Sequence, residues 1–102
     1  MKMFLLSDNR DTLTGMRLAG VEGKVIKERH EFLKSWREVI QDNEVGVLLI
    51  TERLAVEFEE FISAVKAREQ WPIITSIPDR FGGIKVGDFI SKYIREAIGI
   101  NN

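Results

Sequence analysis

The chain has 102 residues, the length of one domain, and its 44% hydrophobic and 30% charged composition lies close to the globular average, which excludes disordered, collagen-like and low-complexity architectures. Fifteen lysines and arginines against sixteen aspartates and glutamates leave a formal charge of −1, so nothing draws it to a phosphate backbone or an anionic lipid surface, and neither nucleic-acid binding nor direct membrane insertion is expected. Cysteine is absent, which removes disulfides, thiolate metal sites and cysteine nucleophiles.

A first strand is expected over residues 3–7, a short apolar run. Ser7-Asp8-Asn9-Arg10-Asp11 ends that run well short of the 7–15 apolar residues of a signal peptide core, and nowhere does the chain approach the roughly 20 apolar residues of a membrane helix. Asp11 is placed to N-cap a short helix that runs through Ala19 and stops at Gly20, a favourable residue for a left-handed C-cap. Gly15 lies inside this helix, where glycine costs about 0.5–1 kcal/mol relative to alanine unless close packing requires it. Residues 21–26 alternate weakly and form a second strand. Over residues 28–42, Phe32, Leu33, Trp36, Val39 and Ile40 recur every three or four positions, which predicts a helix with one apolar face.

Residues 46–51 contain Val47-Leu48-Leu49-Ile50, apolar on both faces, as a strand inside a parallel sheet must be. Leu54, Phe58, Phe61, Ile62 and Val65 then predict a helix over residues 51–67, and Pro72 opens a fourth strand over residues 72–77. Arg80-Phe81-Gly82-Gly83-Ile84-Lys85 reads as a flexible connection to a last helix that starts near Val86-Gly87-Asp88 and ends at Gly99.

The order βαβαβαβα predicts a single α/β domain over residues 1–102, built on a four-stranded parallel sheet. With right-handed crossovers, and the first two helices on opposite faces, strand 2 lies at one edge and the order is 2-1-3-4, with helices on both faces. Ligands of such sheets bind beyond the carboxyl ends of the strands, where this chain places Asp8, Asn9, Asp11, Thr51, Glu52 and Asp79. A phosphoacceptor receiver domain fits the order but needs an aspartate at the end of strand 3, where Ile50-Thr51-Glu52 stands, and a lysine after a fifth strand. A dinucleotide site needs G-x-G-x-x-G after strand 1. The chain instead has Ser7-Asp8-Asn9-Arg10-Asp11-Thr12 there, with acids where phosphate would sit, and it has no Gly-Lys-Ser or Gly-Lys-Thr. His30, the one histidine, lies between Arg29 and Glu31 as on a solvated helix face, and Glu57, Glu59 and Glu60 form an acidic run on another. No catalytic residue, metal site, cofactor or small-molecule ligand is expected.

What stands out is apolar surplus. In the last helix Val86, Phe89, Ile90, Tyr93, Ile94, Ala97 and Ile98 span an arc of roughly 180°, more than one sheet face buries. Ile90, Tyr93 and Ala97 lie near its middle, Phe89 and Ile98 near its extremes. Two readings stand equally: the surplus is covered within the domain, by packing on the sheet and the short first helix, or it meets a partner, in which case the candidate partner-binding residues are Phe81, Phe89, Tyr93, Ile94 and Ile98, with Phe81 either a loop aromatic that anchors an interface or one folded back into the core. Arg17 is placed to pair with an acid of this domain or of a partner.

The stretch from Asp8 to Gly20, Gly46-Val47-Leu48-Leu49-Ile50-Thr51-Glu52, Pro72-Ile73-Ile74-Thr75-Ser76-Ile77-Pro78 and Ile94-Arg95-Glu96-Ala97-Ile98-Gly99, taken in this order over nearly the whole chain, resemble the F subunits of the V-type/A-type rotary ATPases (ATP synthases). Ser7 departs from the glycine common in that family before the aspartate. The resemblance implies a non-catalytic component, cytoplasmic and peripheral to the membrane. It would sit on the central stalk, bind the long coiled-coil rotor component (the D subunit), lie near the subunit that links the stalk to the membrane ring, and turn as ATP turnover is coupled to H+ or Na+ transport. The alternative from another class is a receiver-like or small ligand-binding signalling domain.

Overall fold

Seven consecutive buried residues, Val45–Thr51, form the strand through the middle of the fold, as a strand covered on both faces requires. The computed structural model describes residues 2–68 and 72–78. In chain order these are β1 (Lys2–Ser7), α1 (Arg10–Leu18), β2 (Glu22–Val25), α2 (Arg29–Gln41), β3 (Val45–Thr51), α3 (Glu52–Glu57), α4 (Glu59–Ala67) and β4 (Ile73–Ile77). The strands pair in parallel in the order β2-β1-β3-β4, the order expected from right-handed crossovers with the first two helices on opposite faces.

Each face of the sheet carries its own core. On one, Phe32, Trp36, Leu54, Phe58, Ile62 and Val65 from α2 to α4 pack on Leu6, Leu48, Ile50 and Ile74. On the other, Leu13 and Met16 of α1 pack with Leu5, Val21 and Leu49. The pairing of β1 with β3 shifts by one residue at Gly46, from Lys2 opposite Val45 to Met3 opposite Val47. An inserted residue reverses the alternation of faces, so Val45 joins Leu48 and Ile50 while Val47 and Leu49 point to the opposite core.

Local chemistry fixes the helix ends. The N-cap of α1 is Asn9, whose Oδ1 accepts from the Thr12 N–H at 2.8 Å. This corrects the expectation that Asp11 caps: Asp11 stands exposed in the first turn, where its negative charge still opposes the positive end of the helix dipole. At the other end Gly20 has φ +88°, its N–H donates to Arg17 O at 2.9 Å, and the Val21 N–H donates to Met16 O at 3.0 Å. That pair of bonds is a Schellman cap, with Val21 and Met16 buried in the same core. At the start of α2, Glu31 Oε1 accepts from the Glu28 and Lys27 N–H groups at 2.9 and 3.0 Å, with Glu31 serving as the third-position acid of a capping box.

A β-carbon at Gly20 would have nothing within 4 Å, so the Gly20→Ala change tests the conformation alone. It is expected to cost about 1–2 kcal/mol, the penalty of the left-handed region for an L-residue. Urea unfolding of the two proteins measures it, and equal midpoints would show that the turn does not hold this conformation.

The helix expected over residues 51–67 is interrupted at Phe58, which leaves the helical region with φ −114° and ψ 31°. No proline or glycine causes this. The Phe58 ring lies stacked on Phe32, centroids 3.8 Å apart and planes within 3°, and the hydrogen-bond ladder continues across the break from Phe58 N–H to Leu54 O and from Phe61 N–H to Phe58 O. Gly15 is half-buried in α1. No helix among the described residues is long and apolar enough to cross a membrane. The expected last helix and the Arg80–Lys85 connection lie outside the described residues.

Candidate functional site

The carboxyl ends of β1 and β3 meet at the point where the chain sends α1 to one face and α3 to the other, the usual place for a ligand crevice. Here the polar groups turn on one another. Ser7 is fully buried; its Oγ donates to Asn9 O at 2.7 Å and accepts from the Asn9 N–H at 3.1 Å. Asn9 is thereby held extended, at φ −141° and ψ 153°, with its side chain free to cap α1. Thr51, equally buried, accepts at Oγ1 from the Asp8 N–H at 3.1 Å, tying the two strand ends together. Asp8 Oδ1 accepts from Asn9 Nδ2 at 3.1 Å, and its Oδ2 faces Arg53 Nε at 3.6 Å.

Two ligand chemistries lose their footing in this arrangement. A phosphate seeks free N–H groups at the first turn of α1, and the Thr12 N–H is already bonded to Asn9. A receiver phosphorylates a carboxylate at the end of β3; this position is Thr51, whose hydroxyl is bonded to Asp8. Of the six residues expected around the crevice, Asp8, Asn9 and Thr51 form the network, Asp11 and Glu52 are exposed first-turn residues, and Asp79 lies outside the described residues. Among the described residues no three acidic or imidazole side chains come together in a way that could hold a metal ion.

Beside the network is an open cleft of about 200 Å³, smaller than the roughly 300–1,000 Å³ of a small-molecule site. Ile26, Leu54 and Phe58 line it with hydrocarbon, and Lys27, Glu28 and Glu57 stand with Asp8 and Arg53 around it. His30 is exposed on α2, its Nδ1 3.2 Å from Glu28 Oε2. Glu57, Glu59 and Glu60 are exposed along α3 and α4, next to Val56, which is 80% exposed. Arg17 is exposed in the last turn of α1. The partner-binding candidates Phe81, Phe89, Tyr93, Ile94 and Ile98 all lie outside the described residues.

Reasoning from sequence missed Ser7 and Thr51 as the residues that lock the strand ends. The signal was present: a hydroxyl closing each of two adjacent apolar strands, one of them two residues before an asparagine, the spacing of a side-chain turn.

Among known proteins, the model of the family described as "ATP synthase (F/14-kDa) subunit" matches residues 3–94. The chain is similar to the F subunit of the A-type ATP synthase of Pyrococcus furiosus, 39% identical over 107 residues covering 98% of this chain and 96% of that one. It is likewise similar to the protein of the same name from Thermococcus kodakarensis, at 42% over 106 residues with the same coverage. Against the one from Methanocaldococcus jannaschii the identity is 29% over 102 residues, covering 99% and 98% of the two chains.

Proposed function

The chain belongs to the ATP synthase F (14-kDa) family, and from that membership we propose that it is a non-catalytic central-stalk component of a V-type/A-type rotary ATPase. It binds the coiled-coil rotor component, lies beside the subunit that links the stalk to the membrane ring, and turns with them as ATP turnover is coupled to H+ or Na+ transport. It works on the cytoplasmic side, peripheral to the membrane, as one domain over residues 1–102. One observation carries the non-catalytic reading: the strand ends that would cradle phosphate are closed by Asn9 on α1 and by Thr51 on Asp8. The expected result with Mg-ATP is accordingly no heat of binding in calorimetry of the isolated chain. A dissociation constant in the low micromolar range would contradict it.

We propose as the surface for the coiled-coil rotor the last helix expected from the sequence together with the Phe81 connection, because the apolar arc expected of that helix exceeds what one sheet face covers. On the helix expected from the sequence Tyr93 and Ile94 fall on that arc, Tyr93 near its middle, and Phe89 and Ile98 fall at its extremes, the positions proposed to meet the partner. Changing Phe89 and Ile98 together to serine is expected to weaken the complex about ten- to a hundredfold, with less damage to folding than Ile90→Ser. Titration with the purified coiled-coil rotor protein and thermal melting of the free chain read the two effects. Parent-like binding by the double variant would move the interface elsewhere.

A further inference from the structure

We draw no further inference here: the strongest candidate, the exposed acidic patch of Glu57, Glu59 and Glu60 beside Val56 at the α3–α4 junction, is a cluster of acids with one apolar neighbour, and nothing in the structure shows what covers it.

Discussion

Replacing Phe32 by alanine is expected to destabilise the folded chain by about 3–5 kcal/mol. Phe32 is fully buried and joins three elements: its ring stacks on Phe58 at the α3–α4 break with centroids 3.8 Å apart, on Trp36 of its own helix at 5.5 Å, and meets the edge of Phe61 of α4 at 5.7 Å. Removing it leaves a ring-sized cavity that α2 cannot collapse into without pulling off the sheet, so the transfer and cavity penalties add. Each aromatic pair contributes a further 0.5–1.5 kcal/mol or so beyond buried area. A domain of this length holds about 5–15 kcal/mol in all, and Tm should fall by about 12 °C or more. Thermal unfolding followed by circular dichroism measures it. A fall of only a few degrees would show that the stack is not a principal support of the core.

The second large effect has the opposite sign to what strand preference suggests. Valine is a better strand residue than glycine by up to about 1 kcal/mol, so Gly23→Val in β2 would stabilise if preference governed. Gly23 lies opposite Leu5 in the sheet, and a β-carbon there would come 2.5 Å from Leu5 O, 2.8 Å from Leu5 Cβ and 3.0 Å from Leu13 Cδ1. Neither neighbour can yield: β1 is held between β2 and β3, and Leu13 is pressed into the α1 core. The Gly23→Val variant is therefore expected to lose about 3 kcal/mol, with urea denaturation as the measurement. A midpoint at or above the parent's would mean that β2 does not approach β1 this closely. Gly20 and Gly23 stand three residues apart and are glycine for different reasons, the first for its backbone angle and the second for the absence of a side chain.

Patterns that repeat along the sequence carried the architecture into view. The two-sided apolar run Val47 to Ile50, the three- and four-residue spacing of Phe32, Trp36 and Val39, and a glycine at the end of α1 point to β3, α2 and the Schellman cap, and right-handed crossovers with the first two helices on opposite faces then give the observed strand order. Features set by a single contact did not show. Asn9 and Asp11 are both good caps, and the choice falls to Asn9 because Ser7 Oγ bonds both backbone groups of Asn9. Phe58 interrupts a helical pattern that has no breaker in it, while stacked on a residue of another helix. The extra residue at Gly46 depends on how two distant segments align. At the site, the lack of a phosphate loop was legible because that loop is a contiguous motif. The cleft was not, since its lining comes from Asp8, the residues after β2, and α3.

The stalk role is tested most directly by affinity capture of the tagged full chain from a native extract, followed by identification of the peptides that come with it. A central-stalk component should bring rotary ATPase subunits with it, the coiled-coil rotor protein among the strongest. Clean recovery of the chain with no rotary ATPase component beside it would contradict that role.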